Sequence, residues 1–223
     1  MDFDGPANNL TVSQIYSTDA AFAALRSDGS LVTWGDSSYG GDSSGVDFDG
    51  PANNLTVSQI FSTDFAFAAL RSDGSVVTWG NSSYGGDISS VDFDGPANNL
   101  TVSQVFSTGA AFAALRSDGS VVTWGDSSYG GNSNGVDFDG PSNNLTISQI
   151  FSTDAAYGGA FAALRSDGSV ATWGDSLYGG NSNSVDFNGP ANNLTVSHIF
   201  SNNFAFAALR SDGSVVTLSL IHI

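Results

Sequence analysis

The chain has 223 residues with a lopsided charge balance: 22 acidic residues, all Asp, against five basic residues, all Arg, for a formal net charge of −17. Such a charge repels phosphate backbones and anionic lipid surfaces, so we expect neither nucleic-acid binding nor membrane insertion. The absence of Cys excludes disulfides, thiol catalysis and Cys-based metal sites.

Five tandem units organise residues 1–217 into one repeat domain. They cover residues 1–45, 46–90, 91–135, 136–184 and 185–217, and the fourth unit carries four extra residues around "YGGA" (157–160). Residues 218–223 ("LSLIHI") leave the repeat and resemble the translation of a sequencing-library adaptor. We expect this segment to be a non-native tail and the chain to be a fragment of a longer array.

The second unit shows the elements of one repeat. Residues 55–63 ("LTVSQIFST") alternate, which predicts a strand with Val57, Gln59 and Phe61 on one face. Residues 66–72 and 75–80 flank Asp73-Gly74, which predicts a hairpin with a two-residue type I′ turn. The hairpin arms are apolar on both faces and must therefore be covered on both.

The rest of the unit is rich in turn residues. A short "VDF" run (91–93) is a candidate outer fourth strand. The Gly-Gly pair at 85–86 and Pro96 each predict a chain reversal. The unit therefore holds three firm strands and one possible additional strand.

The fold class predicted from this pattern is all-β, because Lys and Glu are absent while turn formers, Val and aromatic residues dominate. A period of 45 residues with two-faced burial favours a β-propeller, or a partial propeller arc, of about five short blades. A β-solenoid of stacked hairpins is the structural alternative.

The motif "VSQI…AFAALRSDGSVVTWG…YGG" resembles the repeat of the RCC1-like β-propellers, in which an "AL-x-x-DG-x-V-x-x-WG" hairpin is followed by a "YGQLG"-type turn. The resemblance covers every unit, although "YGGDS" or "YGGNS" replaces that turn and the unit is shorter than usual. It implies a propeller that binds other proteins, and no more than that.

The loop "DFDGPANN" is a candidate calcium site, because Asp47, Asp49, Asn53 and Asn54 supply the oxygen ligands that Ca²⁺ prefers. Asp and Asn are equally ordinary in turns, and the loop lacks the distal bidentate Glu of an EF-hand. We favour a structural turn, so no metal ligand, cofactor or catalytic residue is assigned.

Arginine, tryptophan and histidine are the other candidate functional residues. The arginines precede each hairpin turn and suggest a ring of ion pairs with neighbouring Asp residues, while the tryptophans are predicted to anchor the packing between blades. These residues are Arg26, Arg71, Arg116, Arg165 and Arg210, and Trp34, Trp79, Trp124 and Trp173. His198 and His222 form no credible pair, because His222 lies in the tail.

The function predicted from the sequence is a non-enzymatic scaffold for protein–protein interaction, with an unidentified protein partner. A secreted or surface structural repeat, stabilised by calcium, is one alternative, and an accessory module of a larger enzyme is another. If the arc is incomplete, open edge strands also favour self-association.

Overall fold

The computed structural model describes residue 3 and residues 9–95, 98–140, 144–155, 158–189 and 191–218. These residues form five three-stranded antiparallel sheets, each with its strands in chain order. The all-β prediction is confirmed, and each sheet is one blade of an open propeller arc. The first strands of consecutive blades lie side by side, so they are the innermost strands of the arc.

The strands of the first three blades are β1 (Val12–Ser17), β2 (Ala21–Arg26), β3 (Leu31–Gly35), β4 (Val57–Ser62), β5 (Ala66–Arg71), β6 (Val76–Gly80), β7 (Val102–Ser107), β8 (Ala111–Arg116) and β9 (Val121–Gly125). Those of the last two are β10 (Ile147–Ser152), β11 (Ala160–Arg165), β12 (Val170–Gly174), β13 (Val196–Ser201), β14 (Phe206–Arg210) and β15 (Val215–Leu218). Short 3₁₀ helices follow the first four blades at Ser37–Tyr39, Ser82–Tyr84, Ser127–Tyr129 and Ser176–Tyr178.

The hairpin turn differs from the type I′ turn predicted. The amide of Gly74 donates to the carbonyl of Arg71 at 3.0 Å, and the amide of Arg71 donates to the carbonyl of Ser75 at 2.9 Å. Three residues therefore form the loop, and only Gly74, at φ +82°, is left-handed. This is a type I turn followed by a glycine bulge, which is common in three-residue connections. Such a turn does not require a positive φ at Asp73.

A β-bulge overturns the simple alternation predicted for the first strand. The pairing register of β4 with β5 shifts between Val57 and Gln59. The extra residue brings Val57 and Ile60, at 4% and 3% exposure, onto one buried face, whereas Gln59 is exposed. The same shift occurs in the first strand of every blade.

The possible fourth strand does not form in the described residues. The "VDF" segments have no strand pairing and instead cross the seam between two blades; we call each one a strap. In the strap of residues 46–48, the ring of Phe48 meets Trp79 edge to face at 5.1 Å. The reversal predicted at Gly85 is confirmed, since it caps the 3₁₀ helix at φ +103°, while Pro96 lies outside the described residues.

Blades pack through two distinct faces, which we call back and front. The back face of blade 1 presents Ala21, Ala23 and Leu25, and it is covered by the front face of blade 2, which presents Val57, Ile60, Phe67, Ala69 and Trp79. The three following seams repeat this arrangement with equivalent residues. Fully buried alanines of the central strands let the sheets approach closely.

Hydrogen bonds join consecutive blades at the hairpin end of all four seams and at the axial end of the first two. The amide of Val57 donates to the hairpin carbonyl of Gly29 at 3.0 Å, and the amide of Asp19 donates to the carbonyl of Asp64 at 2.9 Å. Between these ends, Trp79 Nε1 donates to the carbonyl of Gly40 at 3.0 Å. Because these donors and acceptors are shielded by the packed faces, each bond fixes the register of one blade on the next.

The last blade departs from the others at its outer strand. Leu218 pairs with Phe206 in β15, where the other blades place Trp opposite Phe, and it is buried at 1% exposure. Leu218 is the first residue of the predicted tail, and residues 219–223 lie outside the described residues.

Candidate functional site

The β1–β2 turns of successive blades converge at one end of the arc's axis and surround a polar cavity of about 260 Å³, which we call the axial cavity. Its lining is composed of hydroxyls and carboxylates from Ser17, Thr18, Asp19, Ser62, Thr63, Asp64, Ser107, Thr108 and Asp154. Residues from blades 1, 2, 3 and 4 line this same space.

Buried threonines hold these turns in place. The amide of Ala66 donates to Thr63 Oγ1 at 2.9 Å, and the Thr63 hydroxyl lies 3.3 Å from the carbonyl of Tyr84. The hydroxyl therefore closes the turn and ties it to the end of the 3₁₀ helix in the same blade. The residue that follows Thr63 is Asp64, whose backbone joins the ladder between blades while its carboxylate faces the axis.

The axial carboxylates disturb one another electrostatically. Partial burial, followed by the negative charges of Asp154 and Asp19, raises the pKa of Asp64 to about 6. Desolvation and then Asp19 also raise the pKa of Asp154. Because the negative charges oppose one another's ionisation, both carboxylates favour a partner that brings positive charge.

Blade 3 has Gly109 where blades 1 and 2 have Asp. A Cβ on Gly109 would lie 3.0 Å from Asp64 Oδ2 and 3.1 Å from Asp154 Oδ1, so the two carboxylates already occupy the space of a third side chain. This cluster was not predicted from the sequence. Its signal was the residue after each "ST" or "SN" pair, which varies between Asp, Gly and Asn in an otherwise uniform repeat.

A groove of about 600 Å³ lies elsewhere, between the strap of residues 91–93 and the outer strand of blade 3. It is lined in part by Asp92, Arg116 and Trp124. A groove around the equivalent Arg71 follows the preceding strap. This groove is therefore a product of how each strap crosses a seam and is not a unique site.

In the proposed calcium loop, one of the candidate ligands caps a turn. Asp47 Oδ1 accepts a hydrogen bond of 2.8 Å from the amide of Gly50, and the amide of Asn54 donates to the carbonyl of Asp49. Asn53 is left-handed at φ +51°. Within the described ranges, no group of three or more His, Cys, Asp or Glu side chains is arranged to hold a metal ion. The structural turn favoured from the sequence stays a prediction, with calcium binding as its alternative.

Among the described residues, Arg71, Arg165 and Arg210 make no direct ion pair with Asp, so the predicted ring is wrong in its contacts, although the charge of Arg71 still acts on the neighbouring Asp73. Arg165 Nε donates to the carbonyl of Phe138 at 3.2 Å, and Arg210 Nε donates to the carbonyl of Phe187 at 3.1 Å. Arg71 likewise contacts the carbonyl of Asp47 and the hydroxyl of Ser75. The guanidinium groups therefore fasten straps through backbone carbonyls, which a fork of donors can do without a carboxylate.

The prediction that tryptophans anchor the packing between blades is confirmed for three of them. Trp79, Trp124 and Trp173 are 3–4% exposed and stack on a Phe of their own blade. Trp34 has the same stacking partner type, Phe22, but is only partly buried. His198 lies beside Phe151 and Phe200 on the inner strand of blade 5, and His222 lies outside the described residues.

Comparison with solved structures identifies this fold. The chain resembles the ectodomain of the receptor kinase CR4 from Physcomitrella patens (17% identity, TM-score 0.53), human WBSCR16 (20%, 0.55) and yeast RCC1 (Prp20) in a complex with Kap60 (16%, 0.57). Each match covers 96% of this chain, but only 53%, 63% and 57% of the respective structures. The chain thus spans between half and two thirds of the length of these structures.

Residues 57–85 match the model of the regulator of chromosome condensation (RCC1) repeat. No curated protein sequence matches the chain. The described part of the chain holds no helix with the length and hydrophobicity of a membrane span. The fold defines a partial β-propeller. Within residues 57–85 the repeat matches the RCC1 type that the residues of the hairpin had indicated.

Proposed function

We propose that this protein is a non-enzymatic scaffold that binds a protein partner through the axial end of its propeller arc. The observation that supports this proposal most directly is the RCC1-type repeat in an arc that resembles yeast Prp20. Prp20 has been crystallised with Kap60, and its binding to Gsp1p and histones has been described. A shared fold alone does not define a partner, so the chemistry of the surface has to narrow the choice.

The axial cavity favours a basic segment as the ligand. Asp19, Asp64 and Asp154 face it together, and the whole chain carries a net charge of −17. An Arg- or Lys-rich segment would be attracted by the overall field and would neutralise the carboxylates that repel one another. Serine and threonine hydroxyls around the carboxylates offer further hydrogen-bond acceptors to a guanidinium group.

A fluorescent octa-arginine peptide tests this proposal by anisotropy at low and physiological salt. The decisive variant replaces Asp19, Asp64 and Asp154 by Asn. The matched control replaces Asp28, Asp73 and Asp118, which lie in the hairpin turns at the opposite ends of the strands, so that both variants lose three charges.

We expect the axial variant to lose about tenfold or more in affinity and the hairpin control to lose much less. Parent binding should also strengthen as pH rises from 5 to 7.5, because Asp64 ionises around its raised pKa of about 6. Equal losses in the two variants would mean that the peptide senses net charge alone and would overturn the axial cavity as the binding surface.

A further inference from the structure

The outer strand of blade 3, β9, has an edge whose backbone groups are unpaired. The amide of Arg116 donates to the carbonyl of Ser120 at 2.9 Å, which fixes the phase of the pairing between β8 and β9. Because hydrogen-bonded and non-bonded pairs alternate in an antiparallel ladder, the N–H and C=O groups of Val121, Thr123 and Gly125 point away from β8. In the part of the chain that the structure describes, these groups have no hydrogen-bond partner.

The groove of about 600 Å³ lies beside this edge. Residues 122–125 of β9 line it on one side, and the strap of residues 91–93 contributes Val91 and Asp92 to the other. An uncovered strand edge is a template for pairing with a further strand. The groove therefore gives an extended polypeptide room next to the backbone groups with which it would pair.

Arg116 lines the same groove and has an N–H group without an acceptor. Its Nη1 donates to the carbonyl of Asp92 at 3.3 Å, but its Nε is buried and has no hydrogen-bond partner among the described residues. The equivalent Nε groups of blades 2, 4 and 5 each have an acceptor. Because a buried, unsatisfied donor is costly, a carbonyl that a ligand brings to Arg116 Nε would be bound favourably.

The edge of blade 4 is closed by its own arginine. Arg165 Nη1 donates at 3.2 Å to the carbonyl of Val170, which is the counterpart of Val121 at the edge. The Val121 carbonyl accepts no such bond from a described donor. Grooves beside the straps recur, but the copy at blade 3 combines an open edge with an unsatisfied donor.

The charges in the groove favour a basic side chain on the bound segment. Asp87 and Asp92 line the groove with Arg116. Hydrogen bonds from the backbone amide and then the side chain of Ser89 lower the pKa of Asp87, which keeps this carboxylate ionised. The five basic residues of the sequence are all hairpin arginines, so a second copy offers no other basic segment.

We propose that the groove beside β9 is a docking site for an extended segment of a partner protein that carries a lysine or an arginine. The segment adds to blade 3 as a fourth strand and pairs with the edge groups of Val121, Thr123 and Gly125. One of its carbonyls accepts from Arg116 Nε, and its basic side chain lies beside Asp87. The groove shares no lining residue with the axial cavity, so this surface goes beyond the proposed function.

Hydrogen exchange followed by NMR on the isotopically labelled full chain, with the peptide acetyl-Thr-Val-Lys-Val-Thr-amide as probe, tests the proposal. We expect saturable binding that slows exchange of the Val121, Thr123 and Gly125 amides by tenfold or more. The Thr123→Pro variant should abolish the protection of the other two amides, because it removes an outward N–H without breaking a bond to β8. The matched control Thr172→Pro makes the same change at the equivalent position of β12 and should leave the protection intact.

Methylated peptides cover the case in which Thr123→Pro does not fold. Methylating the backbone nitrogens of alternate residues gives two versions of the probe, and addition as a strand predicts that one loses binding while the other keeps it. No protection by the unmodified peptide, equal losses in the two proline variants, or equal binding of the two methylated versions overturns the docking site.

Two further measurements test the chemistry of the segment and its independence from the axial cavity. Replacing the lysine of the peptide by norleucine should weaken binding several-fold, and unchanged binding would overturn the choice of a basic segment. Protection of the β9 amides should persist in the axial variant that tests octa-arginine binding. Loss of protection there would overturn the groove as a separate surface, so the two proposals fail separately.

Discussion

Trp79 Nε1 donates a hydrogen bond of 3.0 Å to the carbonyl of Gly40, 39 residues earlier in the preceding blade. The same bond joins Trp124 to Gly85 at 3.2 Å and Trp173 to Gly130 at 3.1 Å. Each carbonyl belongs to a glycine in the left-handed region that ends a 3₁₀ helix. The "WG" and "YGG" motifs of the repeat therefore meet across a seam and not within one unit.

Replacing Trp79 by Phe should reduce the free energy of unfolding by about 1–3 kcal/mol, because the Gly40 carbonyl is left without its buried donor and ring volume is lost. Trp34→Phe provides the control and should change stability by less than about 0.5 kcal/mol, since the Trp34 indole is partly exposed and has no acceptor among the described residues. Urea unfolding followed by circular dichroism measures both. Comparable losses would contradict a role for the bond between blades.

Ile60→Ala should destabilise the protein by about 2–4 kcal/mol, because Ile60 is 3% exposed in the seam between blades 1 and 2. Ile15→Ala makes the same chemical change at the same repeat position, where the side chain is 60% exposed, and should cost less than about 0.5 kcal/mol. Thermal unfolding of the two variants separates the two values. A large loss for Ile15→Ala would show that the front face of blade 1 is covered in solution.

Three Gly→Ala changes separate backbone strain from crowding. Gly85 has φ +103° and a Cβ there would lie 2.6 Å from Phe112 Cδ2, so we expect a loss of about 2 kcal/mol or more. Gly135 has φ +85° with open space around it, which predicts a loss of about 1 kcal/mol from strain alone. Gly45 has neither a left-handed φ nor a close neighbour and should lose nothing. Melting temperatures in any other order would refute this ranking.

Asp64→Asn should raise the melting temperature at pH 7.5 and lose this advantage as pH falls toward 4. The folded protein holds the Asp64 proton up to a pKa of about 6, above the usual 3.8, so the ionised carboxylate opposes folding and stability falls as pH rises between these values. Solvent screening reduces the gain above pH 6 to about 1 kcal/mol, or about 2–4 °C.

Asp36→Asn is the control for this pH dependence, because the second blade already has Asn81 in the same capping role. The hairpin carboxylates respond in the opposite direction. Hydrogen bonds from the Ser30 side chain and then its backbone amide lower the pKa of Asp28, and stability from that carboxylate is lost as pH falls. The effect of Asp64 is therefore measured as the melting temperature of the Asp64→Asn variant minus that of the parent at each pH. If this difference does not change with pH, the raised pKa of Asp64 is refuted.

The sequence predicted the parts of the fold that depend on local pattern. The hairpin arms, the burial of three tryptophans and the reversal at Gly85 follow from residue type and spacing alone. The bulge beside Gln59 was not predictable, because "VSQIF" alternates well enough for a regular strand until tertiary burial selects Val57 and Ile60 together.

The axial cluster escaped prediction for a different reason. Asp19, Asp64 and Asp154 are far apart in sequence, and periodicity shows that they are equivalent without showing that equivalent positions converge on one axis. The hydrogen-bond partners of the arginines could not be predicted either. In an Asp-rich chain, a guanidinium group that donates to carbonyls and one that donates to carboxylates have the same sequence pattern.

Uniform seams between the blades make whole units interchangeable. Because Ala, Leu and a Gly carbonyl always meet Val, Ile and Phe, deleting residues 46–90 would bring the back of blade 1 against the front of blade 3, two surfaces that already match. Recombination between such copies can lengthen or shorten the array by one unit at a time and leave every new junction correctly paired.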